Sequence, residues 1–459
     1  MIIWLGLLQF SAGFGILMLL KIYLKPALCI SVSALIGIAV FSLIPFLLQL
    51  AFVPLTGFNI YATIGVVCVL LNLKSRKGFL QLLNAVKNYR FSVRVYEIPF
   101  LLLISFFVFV SAWRCYYFPP TPRDLVSGPE VIAKYTIKEK TMINSVFTVD
   151  LATTNNQFKP PFITCLQIIY KYAGFPFGQV WLSVVVIFFL VFLYHVLSLR
   201  LHKIIAGLLL IIFIAIPEMY AYTIMALFDY SNAVFFCLSL YFLFEFFRHE
   251  KMNYLVLSGL LMAIATYIRS ETLVLASFIY VAVLFHYRSR PDVLKNSTRG
   301  GAYFLVPSLL IYLVSIVLYI NQYLPAHYTV ETLLNKNLLN VSSFYDRLSN
   351  MTGQLLLAGD TVTYYAYFIY IFLFMLCLNI FDRNVLNKTA LNWLFAVFAV
   401  YIGLPFVAYL FPLYDLDNST KRGLFKIFPL MLLFMANSPV LISLSDGIKK
   451  WEETNSERL

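Results

Sequence analysis

Long apolar segments recur along the whole chain, and they constrain its fold more than any other feature. A helix needs about 20 mostly apolar residues to cross a bilayer core of about 30 Å. About thirteen segments pass that test, and no polar stretch between them is long enough to form a separate water-facing domain. The predicted spans are roughly 2–20, 27–50, 55–73, 98–117, 179–199, 203–218, 230–247, 253–268, 272–287, 302–320, 361–381, 391–411 and 423–445.

The composition supports this interpretation. Hydrophobic residues make up 61% of the chain and charged residues only 12%, whereas soluble domains carry roughly 25% charged residues. We therefore predict an all-α fold, a polytopic membrane helical bundle with a large extracytoplasmic loop at 118–178 that contains surface amphipathic helices. Residues 1–97 would add three N-terminal helices and a basic cytoplasmic loop to a helical core at 98–459.

The net charge of +13 does not indicate a nucleic-acid-binding protein. The basic residues do not form a patch with interleaved aromatic residues; they lie in short clusters between apolar segments, as topology signals do. The loop after the third span contains Lys74, Arg76 and Lys77 beside one another. By the positive-inside rule this loop is cytoplasmic, so we expect the N-terminus outside and the C-terminus in the cytoplasm of an integral membrane protein.

The six cysteines are scattered without CxxC spacing, so the sequence predicts neither a zinc site nor a disulfide framework. Cys115 and Cys165 flank the large loop, and the sequence leaves a bridge between them open. No metal ligands are assigned.

The loop at 118–178 has a recognisable internal order. Ser127 and Glu130 have capping-box spacing, and the helix after them would be amphipathic and lie on the membrane surface. The stretch NNQFKPPF follows, where two prolines end any helix. The next stretch, ITCLQIIYKYAGF, predicts a second amphipathic surface helix.

Three charged residues of this loop are candidates for chemistry. Asp124 and Glu130 are acids near the membrane edge, where a carboxylate can accept a proton from a hydroxyl group. Lys159 precedes the two prolines, where a cation can neutralise a phosphate. Taken singly, these residues also fit a solvated acid, a helix cap and a surface lysine, so their types alone do not assign a function.

The order of these features resembles the first extracytoplasmic loop of the C-type glycosyltransferase superfamily. It is most similar to the bacterial aminoarabinose transferases that modify lipid A and to the protein O-mannosyltransferases. The matching features are PxxxxD, which ends at Asp124, and KPPF, which begins at Lys159. The resemblance implies a polyprenyl-phosphate sugar donor, Asp124 as general base and Lys159 as a phosphate ligand. The family often has two neighbouring acids, but here Leu125 follows Asp124 and the next acid is Glu130, so the identity of the base and a role for a divalent cation stay open.

Downstream segments extend the resemblance, which covers residues 98–290 and, loosely, 410–435. Glu218 and Asp229 would flank an outer hairpin, and Arg269 and Glu271 lie in a very short outer turn. By the same resemblance Glu218, Asp229 and Glu271 are candidate accessory residues of the site. Arg422 precedes a proline-containing span, so the resemblance implies that Arg269 and Arg422 join Lys159 as donor-phosphate ligands. In the alternative interpretation these residues form structural ion pairs and helix caps or reach lipid headgroups.

Together these observations predict an enzyme, a membrane glycosyltransferase of the cell envelope. It would transfer a sugar from a polyprenyl-phosphate donor to an acceptor hydroxyl on the extracytoplasmic side, with a bacterial inner membrane as the expected location. The alternatives are a surface-polysaccharide polymerase or ligase that uses a diphosphate-linked donor, and a flippase or transporter of lipid-linked sugars. The acceptor, whether glycan, lipid or protein, is not determined.

Overall fold

The computed structural model describes residues 1–88, 94–121, 123–148, 159–288, 292–320, 342–358, 360–381, 387–411 and 419–456. Within these ranges every element is a helix or a helical turn, and no strand occurs, which confirms the all-α prediction. The helices, in chain order, are α1 Ile2–Leu19, α2 Pro26–Leu50, α3 Gly57–Asn72, α4 Arg76–Lys87, α5 Ile98–Tyr117, α6 Val131–Glu139, α7 Phe162–Tyr172, α8 Val180–Ser198, α9 Lys203–Ile214, α10 Phe228–His249, α11 Met252–Ile268, α12 Thr272–Tyr287, α13 Val293–Phe304, α14 Val306–Tyr312, α15 Ser342–Asn350, α16 Phe368–Phe381, α17 Lys388–Leu410, α18 Ile427–Ala436 and α19 Pro439–Ser456.

Every predicted apolar segment coincides with a helix, but not every helix is long enough to cross a membrane. In the described part of the chain seven helices pass a test of length and composition, and up to nine do so if each of two bent pairs forms one span. Four further apolar helices have only 10–17 residues. The chain therefore has the helices of a membrane protein, and the count of about thirteen spans stays a prediction.

The last predicted span, 423–445, is not one straight helix. The chain bends by 53° between α18 and α19, where Asn437 and Ser438 separate the two helices. Pro439 begins the second helix, and a proline cannot continue the hydrogen-bonding pattern of a preceding helix. A proline therefore divides this apolar segment, which hydropathy alone presents as continuous.

Helix α10 lies at the centre of the bundle. An 18-residue window of α10 is 94% buried, whereas the corresponding window around α5 is 11% buried. A helix that is apolar all round is typical of a protein interior or a membrane, and here α10 is enclosed by other helices while α5 lies at the periphery. The first turn of α10 carries Asp229, so the enclosed helix brings a carboxylate into the protein interior.

Helices α1 and α2 pack with their backbones in close contact. A Cβ atom added at Gly37 would overlap the carbonyl oxygen of Gln9, and one added at Gly13 would overlap the carbonyl oxygen of Ser33. Small residues at a helix crossing permit such an approach between membrane helices. The first two helices are thus joined through positions that have no side chain.

The two predicted surface helices of segment 118–178 are both present, but the second is not on a surface. In α7 every residue from Phe162 to Tyr170 is buried, because α7 packs against α2 and α6. The predicted capping box before α6 is also wrong: Glu130 makes no side-chain cap hydrogen bond, and the Ser127 hydroxyl donates to the carbonyl oxygen of Arg123 at 2.7 Å. Asp150 and the predicted stretch at 155–158 lie outside the described residues.

Candidate functional site

Charged side chains from five separate segments of the chain converge at one end of α10. Asp124 lies in a short turn after α5, and Lys159 lies just before α7. Asp229 is in the first turn of α10, while Arg269 and Glu271 occupy the short connection from α11 to α12. Two more cations lie in the turns that precede α18. We call this set the charged cluster: Asp124, Lys159, Asp229, Arg269, Glu271, Arg422 and Lys426.

Arg269 is the centre of the charged cluster. Its Nη1 atom pairs with Oδ1 of Asp229, and its Nε atom pairs with Oε1 of Glu271. The side chains of Arg269 and Asp229 are only 6% and 1% exposed, and a buried charge of this kind requires opposite charges around it. Although burial by itself raises the pKa of Glu271, Arg269 and Lys426 outweigh that effect and hold the pKa below its usual value. Glu271 is therefore ionised at neutral pH.

Arg422 connects this buried pair to the acid that follows α5. Its Nη1 atom lies 3.4 Å from Oδ2 of Asp124 and 3.9 Å from Oδ2 of Asp229. The Tyr222 side chain also forms a hydrogen bond with Arg422. Both distances exceed the 2.7–2.9 Å of a strong charge-assisted hydrogen bond. Arg422 thus faces two carboxylates without a close bond to either.

Lys426 belongs to the charged cluster, although it is not among the site residues predicted from the sequence. Its side chain is 1% exposed, and its Nζ atom lies 3.9 Å from Oε1 of Glu271. A signal was present in the sequence, because Lys426 is a cation inside the apolar stretch LFKIFPLMLL. An ionisable residue inside an apolar segment is a functional-site candidate by default.

Lys159 contributes a cation without a close carboxylate. Its Nζ atom lies 4.7 Å from the centroid of the Phe228 ring, and within the described part of the chain it forms no ion pair. Loss of hydration on burial, and then the positive charges of Arg269 and Arg422, lower the pKa of Lys159 to about 7. The protonated form of Lys159 is therefore disfavoured until a negatively charged ligand binds beside it.

The balance of charge favours an anionic ligand. When Lys159 and Lys426 are both protonated, the charged cluster has four cationic side chains against three carboxylates, an excess of one positive charge. Low-dielectric surroundings strengthen every charge–charge interaction in the cluster. A phosphate beside Lys159 and Arg422 would neutralise that excess.

Exposure separates the three carboxylates of the charged cluster. The Asp124 side chain is 36% exposed, whereas Asp229 and Glu271 are enclosed and paired with Arg269. Asp124 is the one of the three that a molecule from solution can reach. Its geometry therefore suits a proton acceptor better than that of Asp229 or Glu271.

Glu218, predicted as an accessory residue, lies beside the charged cluster in a separate pair. Its Oε1 atom is 2.9 Å from Nζ of Lys421, and that ammonium group also lies 4.2 Å from the centroid of the Tyr364 ring. Glu218 and Arg422 both interact electrostatically with the hydroxyl group of Tyr222. The Glu218–Lys421 pair therefore borders the charged cluster. Both side chains of the pair are partly exposed.

Glu130, the second acid predicted as catalytic, is in a different environment. Its Oε1 atom lies 2.7 Å from Nζ of Lys171 and 4.0 Å from Nζ of Lys134. None of its ion-pair partners among the described residues belongs to the charged cluster. The pair with Lys171 joins the start of α6 to the end of α7, an arrangement that favours a structural role for Glu130.

Two further sequence-based expectations concern cysteines and metals. Cys115 and Cys165 are both free and buried; Cys115 approaches the carbonyl oxygen of Thr223 and Cys165 approaches Tyr267, so no bridge joins them. Among the described residues no group of three or more His, Cys, Asp or Glu side chains is placed to hold a metal ion. Participation of a divalent cation stays a prediction.

Comparison with known proteins identified no relative of this chain. No family model matches the chain, and comparisons with curated proteins and with solved structures return no match either. The resemblance to the C-type glycosyltransferases therefore stays an expectation from the sequence motifs.

Proposed function

We propose that this protein is a membrane glycosyltransferase that takes a sugar from a polyprenyl-phosphate donor and transfers it to an acceptor hydroxyl. The observation that carries the proposal is the charged cluster, which combines an excess of positive charge with one carboxylate that is open to solvent. Transfer from a lipid phosphate needs both functions, because the leaving phosphate carries negative charge and the acceptor must lose a proton.

Lys159 and Arg422 would hold the donor phosphate. Lys159 has no ion-pair partner among the described residues, and Arg422 lies beside the partly exposed Asp124, where donor and acceptor would meet. Arg269, which the resemblance also implies as a phosphate ligand, is engaged by Asp229 and Glu271. We therefore infer that Arg269 positions the cluster more than it binds phosphate.

Asp124 would act as the general base. The acceptor oxygen attacks the anomeric carbon of the donor, and its proton passes to the carboxylate of Asp124. The bond between that carbon and the phosphate oxygen breaks, and polyprenyl phosphate leaves with the bonding electrons. The charge on the departing phosphate is held by Lys159 and Arg422, which supply the electrostatic stabilisation that such a step requires. Inversion at the anomeric carbon rests on the resemblance alone.

One observation also supports a second candidate, a flippase or transporter of lipid-linked sugars. Buried ionisable groups such as Lys426 and Arg269 are typical of pathways for charged headgroups through membrane proteins. Both candidates would bind the same phosphate, and they differ in whether a glycosidic bond breaks. A polymerase or ligase would differ again, since it would need a diphosphate-linked donor.

The deciding experiment measures transfer of a radiolabelled sugar by the purified protein in proteoliposomes. Donors are a panel of polyprenyl-monophosphate and polyprenyl-diphosphate sugars, with extracted envelope glycans and lipids as acceptors. Wild type is compared with Asp124→Asn, Lys159→Ala and the matched control Glu139→Gln, which neutralises an exposed acid outside the charged cluster. Transfer from a monophosphate donor that Asp124→Asn and Lys159→Ala abolish, and Glu139→Gln retains, supports the proposal.

Other results contradict it in distinguishable ways. Transfer from diphosphate donors alone indicates the polymerase or ligase. Movement of an intact lipid-linked sugar between leaflets, with no transfer to any acceptor, indicates the transporter. The proposal further places the protein in a bacterial inner membrane, with the N-terminus outside and the C-terminus in the cytoplasm; cysteine-accessibility labelling of the two termini tests that orientation.

A further inference from the structure

A second cationic site lies at the opposite end of α10 from the charged cluster. Asp229 and Arg248 are separated by nineteen residues of one helix, which corresponds to about 28 Å at 1.5 Å per residue. At the Arg248 end the structure has a cavity of about 510 Å³. We call it the basic cavity, and it shares no residue with the charged cluster.

Four cations from different elements line the basic cavity. Lys25 precedes α2, Arg200 follows α8, Arg248 is in the last turn of α10, and Lys388 begins α17. Among the described residues of the lining, Glu245 is the one carboxylate against four cations, an excess of three positive charges. Glu245 lies 4.0 Å from Arg248 and 3.3 Å from His249, and its charge also acts on Arg200, so several cations share one carboxylate.

Two long helices also begin at this cavity. Lys25 is the N-cap residue of α2, and Lys388 and Thr389 form the first turn of α17. The positive end of the helix dipole favours an anion at such a position. Both helices therefore add to the positive potential that the side chains create.

The apolar side chains that line the basic cavity indicate that a lipid would supply the anion. Beneath the cationic rim, Trp393, Phe244 and Tyr241 are largely buried and apolar. The cavity opens between the ends of α8, α10 and α17, which are among the helices long and apolar enough to cross a membrane. Basic pockets between membrane helices bind anionic lipid headgroups elsewhere. Cations above an aromatic wall complement a phosphate head followed by a glycerol backbone.

We propose that the basic cavity binds the phosphate group of an anionic membrane lipid, with Lys25, Arg200 and Lys388 on the phosphate. This inference is independent of the proposed transfer reaction, since the site is formed by other residues at the far end of α10.

Native mass spectrometry of the purified full-length protein tests the proposal. The protein is released from detergent with phosphatidylglycerol, with phosphatidylcholine or with inorganic phosphate as the probe. We expect wild type to retain one phosphatidylglycerol in preference to phosphatidylcholine. Arg200→Gln/Lys388→Gln should weaken that retention about 30-fold, given the contribution of each basic residue to anionic-lipid binding. The charge-matched control Lys77→Gln/Lys450→Gln, at exposed positions outside the cavity, should leave it unchanged.

Each result of this experiment leads to a different conclusion about the basic cavity. Specific retention of phosphatidylglycerol confirms a lipid source for the phosphate. Binding of inorganic phosphate that is lost in Arg200→Gln/Lys388→Gln, without lipid retention, keeps the phosphate site but overturns the lipid source. Equal retention of the two lipids by wild type overturns the proposal, and this comparison does not depend on the folding of any variant. Equal loss in both double variants would also overturn it.

Discussion

The guanidinium group of Arg422 lies 3.4 Å from the carboxylate of Asp124, although 298 positions separate the two residues in the sequence. Asp124 lies in the short turn after α5, and Arg422 lies in the turns before α18. The contact places the exposed acid of the charged cluster beside a cation that also faces Asp229. A proton acceptor and a phosphate ligand are therefore adjacent, which is the relationship on which the proposed transfer depends.

Replacing Asp124 with asparagine should act on the chemical step. We expect kcat for sugar transfer to fall by about a hundredfold to ten-thousandfold, the usual contribution of a positioned general base. The donor KM should change much less, because Lys159 and Arg422, the proposed phosphate ligands, keep their charges. Steady-state kinetics over a donor titration measure both constants. Asp124→Glu should restore part of kcat. An unchanged kcat in Asp124→Asn would show that Asp124 is not the general base.

Donor binding should weaken as the pH rises through about 7. The pKa of Lys159 is lowered to about 7, so the protonated fraction falls from about nine-tenths at pH 6 to about one-tenth at pH 8. A sugar–phosphate–lipid diester keeps one negative charge over this range, so the change in affinity reports on Lys159. We expect the donor KM of wild type to increase between pH 6 and pH 8.

The matched variant for this measurement is Lys159→Arg. Arginine stays protonated throughout this range, so the donor KM of Lys159→Arg should depend on pH much less than that of wild type between pH 6 and 8. The same pH dependence in wild type and Lys159→Arg would show that another group titrates.

Loss of the buried partner of Arg269 should destabilise the protein. Asp229→Asn removes a charge that is 1% exposed and leaves the pair of Arg269 with Glu271 in place. Breaking a buried ion pair costs about 3–5 kcal/mol, so the apparent Tm of the detergent-solubilised protein should fall by several degrees, as measured by a thiol-reactive dye or by light scattering.

Glu218→Gln is the control for that measurement. It breaks the 2.9 Å pair with Lys421, whose side chains are partly exposed, and exposed pairs contribute about 0–1 kcal/mol. Equal shifts in Tm for Asp229→Asn and Glu218→Gln would contradict the assignment of the Arg269 pair as the buried core of the charged cluster.

The crossing of α1 and α2 predicts a sharp difference between two glycines. A Cβ atom at Gly37 would overlap the backbone of Gln9, whereas one at Gly6 meets no atom within 4 Å. Gly37→Ala should lower the free energy of unfolding by about 1–3 kcal/mol, as overpacking does. Gly6→Ala should leave thermal stability unchanged. Similar stability of the two variants in a thermal-shift assay would contradict the close backbone contact.

Part of the charged cluster could be predicted from the sequence. Asp124, Lys159, Arg269 and Arg422 stand out because charges are rare in this chain and these lie at the edges of apolar segments, next to recognisable motifs. Their convergence could not be derived, since it depends on how helices far apart in sequence pack around α10. Lys426 was missed because hydropathy places it inside an apolar segment, where only tertiary packing shows that it faces Glu271.

The sequence by itself determined that this chain forms apolar helices and where most of them begin and end, because helix formation and membrane compatibility depend on local runs of apolar residues. Only the tertiary structure decided which charges meet. It left Asp124 open to solvent and enclosed Asp229, it placed Glu130 with Lys171 outside the charged cluster, and it buried the amphipathic α7 within the bundle. Burial and pairing depend on the neighbours that each helix finds, and contacts between residues far apart in sequence are not encoded in any local pattern.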